Sequence, residues 1–331
     1  MKIKISICII LILSLVTVSS SWAQISGFDK VGTTSFQFLK VIPNAQSASM
    51  GGASAASIHT SDAVFFNPAM LVGAANMDVS ISYLDWFMDV SLTSFSMSYR
   101  VKGVGTFGIQ ALMNDMGDIK ETRVDQLVMN TETGVYNPGL TGRSISPGSY
   151  VFGLSYAREL TNKFSFGLTV KYAQEDLVAE KASSVVFDGG LLYKTGFKSL
   201  KLGAMLRQFG PAIKFVDEEY PLPQTFTIGV SGELISVEDA FVLSSPDHKL
   251  FMAYDLSQTR DHSQQHHIGL EYMLKNILIL RTGYKINFDE EGLTLGFGLK
   301  VKQHQLDYSY NDFGDYLDAV HRFTLRFVIN K

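Results

Sequence analysis

The sequence predicts an all-β protein: a transmembrane antiparallel β-barrel of about fourteen strands, with an N-terminal plug, or hatch, in the lumen. Three observations carry that expectation. Bulky apolar residues alternate with Gly, Ser, Thr and charge through most of the chain. Beyond the first 23 residues, no uncharged apolar stretch approaches the ~20 residues of a spanning helix; the strongest, Ile277 to Leu280, is bracketed by Lys275 and Arg281. Mean hydropathy is nevertheless positive. A barrel reconciles the last two facts, because its apolar residues are spread over alternate strand positions.

The chain starts with a basic pair, Lys2 and Lys4, then an apolar run from Ile5 to Val18 and Ser21-Trp22-Ala23. This is the pattern of an export signal over residues 1–23, with cleavage after Ala23. No Leu-x-x-Cys lipobox follows. Removing the signal also removes Cys8, the single cysteine, so disulfides, zinc knuckles and iron–sulfur clusters are excluded. It would leave 26 basic and 32 acidic residues, a formal −6, which argues against nucleic acid as a partner.

Residues 24–75 read as the plug. They are too apolar for a free tail yet lack alternation: Gly27, Gly32, Gly51, Gly52 and a small-residue stretch from Ala45 to Ser57 precede Asp62 and an Asn67-Pro68-Ala69 turn. A wide barrel needs its lumen filled.

Residues 76–331 read as the barrel. Phe164, Phe166, Leu168, Val170 and Tyr172 alternate with Ser165, Gly167, Thr169 and Lys171; Leu293 to Val301 and Phe323 to Ile329 repeat the pattern. Period two puts one set on each strand face. The strands are expected at 76–84, 90–101, 104–113, 150–158, 164–174, 184–194 and 199–209. The second half follows at 224–234, 248–257, 265–274, 277–286, 292–301, 303–311 and 320–329. Connections after even-numbered strands are mostly tight, as at Lys102-Gly103 and Lys275-Asn276; those after odd-numbered strands are mostly long, with 235–247 the exception. Short turns at one end and long loops at the other are the outer-membrane layout, with the turns and both termini periplasmic. A soluble β-sandwich shares the alternation but turns its apolar face inward. The aromatic alternation of the last strand and the lack of Cys favour the barrel.

If the bulky parity faces lipid, the other parity gathers Asp255, Glu271, Arg281, Lys285, Lys300, Asp307, Arg322 and Arg326 in the lumen. The simplest role is an ion-pair network between barrel and plug; a polar path is the functional alternative. His262, His266 and His267 lie at a loop–strand junction without carboxylates spaced for a metal, and read as a solvated loop. Gly-x-Ser-x-Gly, His-Glu-x-x-His and phosphate-cradling Gly-Lys-Ser/Thr motifs are absent, so neither an enzyme nor a cofactor is expected. The connection 114–149, about 36 residues, is far above ordinary loop lengths, and reads either as a partner-contact surface or as a lid over the mouth.

Phe36-Gln37-Phe38-Leu39, Ala48-Ser49-Met50-Gly51-Gly52-Ala53, Asp62-Ala63 and Asn67-Pro68-Ala69 resemble the start of PorV/PorQ family proteins and, more distantly, the hatch of FadL fatty-acid channels. The resemblance continues through Gly153-Leu154-Ser155-Tyr156, Phe209-Gly210-Pro211, Arg281-Thr282-Gly283-Tyr284 and Leu306-Asp307-Tyr308 to His321-Arg322-Phe323. One departure is that the family usually carries an Arg ahead of its Met-Gly pair, where this chain reads Asn44 to Met50. The resemblance implies an integral outer-membrane barrel in contact with membrane lipids. It implies an accessory role in type IX secretion or surface presentation, with exported cargo or secretion components as partners. The alternative is FadL-like uptake of fatty acids or other hydrophobic small molecules. Uptake would run through an apolar pocket at the plug, lined by Phe36, Phe38, Leu39, Phe65 and Phe66, with Met50, Gly51, Gly52, Asp62, Asn67 and Pro68 as hatch residues.

Overall fold

The computed structural model describes residues 30–314 and 317–329; the export signal expected over 1–23 lies outside the described residues. Fourteen strands follow in order: β1 (Met77–Asp85), β2 (Ser91–Val101), β3 (Gly105–Asp115), β4 (Gly148–Glu159), β5 (Phe164–Asp176), β6 (Lys181–Lys194) and β7 (Lys201–Phe209). They continue as β8 (Thr225–Ser236), β9 (His248–Thr259), β10 (Gln265–Leu274), β11 (Leu278–Ile286), β12 (Leu293–Val301), β13 (His304–Asn311) and β14 (Val320–Ile329). Each pairs antiparallel with its neighbours in sequence, and β14 pairs with β1, so the sheet closes. The strands match the alternation to within a few residues at each end. Closure leaves no sheet edge unpaired and rules out the sandwich.

Register fixes which parity faces out. Ile81 sits between Phe95 and Leu325, whereas Ser80 and Ser82 meet Ser96, Ser94 and Thr324. The first set is partly or largely exposed and the second buried. Outward residues such as Tyr83, Phe107, Phe152, Leu168, Phe226, Leu295 and Phe323 form an exposed apolar band, a surface that requires lipid.

The two ends differ as expected. One carries the tight connections, including a Lys275-Asn276 turn with both residues at positive φ, 50° and 57°, the twist that suits a two-residue hairpin. The exception at 237–247 persists; there Leu243–Ser244 adds a short parallel pairing to β8. The other end carries the long connections. The longest, 116–147, is largely exposed and folds as its own hairpin, Ile119–Thr122 against Leu140–Ile145.

The N-terminal segment, residues 30–76, is threaded through the barrel. The Lys30 N–H donates to the Asp261 carbonyl in the loop-end connection 260–264, at 3.0 Å, and the Asn76 carbonyl accepts from Arg100 N–H at the turn end, at 2.8 Å. Between them lie a short helix α1 (Ala45–Ser49) and 3-10 turns at Gln37–Lys40, Ser61–Phe65 and Pro68–Gly73. α1 packs on β11 to β14; the last two 3-10 turns pack on β1 to β6. The wall is thinned to admit this backbone. A Cβ on Gly283 would strike Gly51, one on Gly203 would strike Ala55, and one on Gly167 would strike Pro68. Residues 30 and 329 therefore lie at opposite ends, whereas both termini were expected together; β1 begins at the turn end, so a segment that starts at the loop end must cross the lumen.

Candidate functional site

The aromatic residues of the N-terminal segment separate into two groups. Phe36 and Phe38, with ring centroids 5.5 Å apart, form a loop-end cluster with Phe215, Ile213 and Leu222. Leu39 packs against it, and its carbonyl accepts from Gln208 Nε2 at 2.7 Å. The connection 210–224 thus folds inward over this cluster, with Ser35 N–H donating to the Pro221 carbonyl at 3.0 Å. Phe66 belongs instead to a mid-barrel cluster with Met70, Leu71, Leu192 and Met205, and Phe65 packs at its margin. The single apolar pocket expected from these five residues is replaced by two clusters with a polar-walled cavity between them, because inward strand positions carry charge where the segment lacks bulk.

That loop-end cavity has a volume of about 360 Å³. Its apolar lining comes from Val41, Ile42, Phe66, Trp86, Met205, Phe288 and Phe313, and its polar lining includes Arg207, His267, Lys285, Glu291 and Arg322. The Arg207 guanidinium lies over the Phe66 ring, 5.9 Å from its centroid, and its Nε has no hydrogen-bond partner among the described residues. A second cavity of about 230 Å³ lies toward the turn end.

The motifs expected to form a hatch anchor the N-terminal segment to the wall. Gly51 and Gly52 sit at φ 66° and 84°, a region that glycine enters without steric cost. Gly51 N–H donates to Thr294 Oγ1 at 3.0 Å, and its carbonyl accepts from His267 Nδ1 at 2.7 Å. Met50 packs on Ala53, Ala253 and Phe251. Asn67 caps the turn that starts at Pro68, accepting from Ala69 N–H at 3.1 Å, and donates to the carbonyls of Ala55 and Leu191. Asp62 accepts from Asn44 Nδ2 at 2.8 Å and from the hydroxyls of Ser80 and Ser96. Asn44 engages Asp62 as a neutral donor and also caps α1.

The lumenal charges divide into local pairs. Arg281 bridges Glu271 and Asp307, both at 2.6 Å. Glu271 is directly opposite on β10, but Asp307 is a full strand away; Gly296 and Gly298 on β12 leave the gap that the guanidinium crosses. Lys285 pairs with Glu291, and Arg326 with Asp78 on β1 at 2.6 Å. Burial alone would raise the Glu291 carboxyl, but the Lys285 ammonium holds it below its ordinary range. Arg322 donates to the Ile42 carbonyl at 3.0 Å and to Asn311 Oδ1 at 2.7 Å. Asp255 accepts the backbone N–H groups of Ser54 and Ala55. Among the described residues, the Lys300 ammonium hydrogen bonds to Asn276 Oδ1, at 3.5 Å.

Sequence reasoning passed over Asp78, Glu291, Arg207 and the buried Lys171–Asp188 pair, at 2.6 Å; each except Glu291, in a connection, lies on the inward parity and was accessible by that rule. The solvated-loop reading of the histidines is corrected for His267. It begins inside β10, points into the lumen, is buried and stacks edge-on against Phe288. His266, on the opposite parity, bonds Tyr254 Oη at 2.8 Å. No group of three metal-ligating side chains occurs among the described residues.

The geometry defines a closed fourteen-stranded barrel of the outer-membrane type. Solved structures share this fold. The Pseudomonas putida toluene transporter TodX aligns with a TM-score of 0.54 at 14% identity, over 86% of this chain and 96% of that one. A TodX mutant described as a monoaromatic hydrocarbon channel aligns at 0.52, also at 14% identity and with the same coverage. No protein-family model and no curated protein sequence matches this chain.

Proposed function

We propose that the protein is a non-enzymatic outer-membrane channel for hydrophobic or amphipathic small molecules, with the N-terminal segment as its plug and the long loops facing outward. The loop-end cavity carries this reading. Its volume of about 360 Å³ is within the range of small-molecule sites, and it sets an apolar patch among polar and charged side chains. Here Phe66, Trp86, Met205 and Phe313 supply the apolar surface, and Arg207 a cation over an aromatic floor. The TodX fold supports the same class of cargo. Native mass spectrometry of protein extracted gently from outer membranes tests it: a small hydrophobic compound should be retained, and Phe66→Asp should abolish retention without unfolding the barrel. Protein that never retains such a compound argues against the reading.

The second reading is the accessory role in protein export that the PorV/PorQ resemblance implies. It is favoured by the hairpin 116–147, which exposes Val124 at 83%, Val128 at 65% and Val135 at 64%. Cross-linking from that hairpin to exported proteins would support it.

A further inference from the structure

The turn-end cavity collects more cationic than anionic side chains. Its lining includes Lys201, Lys249, Lys300, Arg281 and Arg326 against Glu233 and Glu271. Arg281 is committed to Glu271 and Asp307, and Arg326 to Asp78. Lys201, Lys249 and Lys300 form no ion pair among the described residues; Glu233 acts on Lys201 and Glu271 on Lys300 only through space, which leaves three ammonium groups without a direct carboxylate partner. Lys201 does hydrogen bond to His59 Nε2, at 3.0 Å. An imidazole nitrogen that accepts from an ammonium is unprotonated, so this bond cancels none of the Lys201 charge.

All three lysines are half-buried on inward positions of β7, β9 and β12, where clustered like charge is costly unless an anion answers it. Beside them Met50, Ile58, Phe251, Met273 and Ile279 form an apolar wall. The arrangement offers hydrogen-bond donors for an oxyanion next to a surface for hydrocarbon. We infer that the turn-end cavity binds a phosphate-type oxyanion, with Lys201, Lys249 and Lys300 as its donors. The cavity is distinct from the loop-end cavity, and this inference does not depend on hydrophobic transport.

Calorimetric titration of the full protein in an uncharged detergent tests it, with inorganic phosphate and hexyl phosphate as separate probes. Saturable binding is expected that weakens as salt is added and falls about tenfold or more in Lys249→Gln/Lys300→Gln, which removes two charged donors. Lys102→Gln, at an exposed turn tip, should bind as the wild type does. Equal binding of the two probes identifies a free-anion site; binding of hexyl phosphate alone identifies the headgroup of an amphiphile. Should the double variant fail to show the heat-dependent gel shift of a folded barrel, Lys300→Gln gives the same reading. No binding of either probe to the wild type, or unchanged binding by the folded lysine variant, overturns the inference.

Discussion

The carboxylate of Asp255, on β9, accepts the backbone N–H of Ser54 at 2.7 Å, and with it the next N–H, that of Ala55, at 2.8 Å. One wall side chain thus holds the N-terminal segment by two buried donors. Asp255→Ala would leave both unpaired, at a cost of about 1–3 kcal/mol each. We predict an intact barrel whose segment is cut faster by trypsin and whose pores conduct more in planar bilayers. Unchanged proteolysis and conductance would show that other contacts suffice.

The glycines of the wall give a steric counterpart. A Cβ on Gly283 would overlap the backbone of Met50 and Gly51, which no side-chain rotation relieves. Gly283→Val is predicted to displace the segment or lower the yield of folded barrel, while Thr282→Val, one residue away on the opposite parity, should do neither. Heat-modifiability on gels separates the two.

These positions also show what the sequence made legible. Period two gave the strands because lipid outside and a packed lumen inside impose opposite chemistry on the two parities. It could not show that Gly283, Gly203 and Gly167 admit another backbone, since glycine in a strand has the same appearance at a bulge, a bend or a contact. The path of residues 30–76 was hidden for a related reason: without periodicity, its direction is set by long-range contacts such as Lys30 to Asp261 and Asn76 to Arg100. The charged residues of the inward parity were legible, but their partners depend on register, and Arg281 finds Asp307 only because two glycines separate them.

At the loop end, Asp261 accepts from Lys40 Nζ at 2.9 Å and from Thr34 Oγ1 at 2.8 Å. Burial by itself would raise its pKa, but these donors prevail and hold it below the ordinary carboxylate value. A depressed folded pKa contributes stability that is present above the unfolded value, ~4, and is lost as pH falls through the folded one. Acidification below about pH 4 should therefore release this latch, and Asp261→Asn should remove that part of the pH dependence. Protection of the Lys30 and Ser35 amides, which donate to the carbonyls of Asp261 and Pro221, from hydrogen exchange reports it.

Val31 is 63% exposed at the loop end. In a background lacking Cys8, Val31→Cys is predicted to react with a membrane-impermeant maleimide added to intact cells, whereas Lys275→Cys, in the opposite turn, should not. The reverse pattern would invert the assigned orientation.

The central claim is passage of hydrophobic compounds through the loop-end cavity, and initial-rate uptake of a labelled monoaromatic hydrocarbon by intact cells tests it most directly. Cells producing the wild-type protein should take it up faster than cells without it. Phe66→Asp, at equal levels of folded barrel, should lose about tenfold or more, because a charge introduced beside the apolar lining stays solvated at the expense of the ligand's contacts. Uptake that is independent of the protein, or that Phe66→Asp leaves unchanged, would contradict the account.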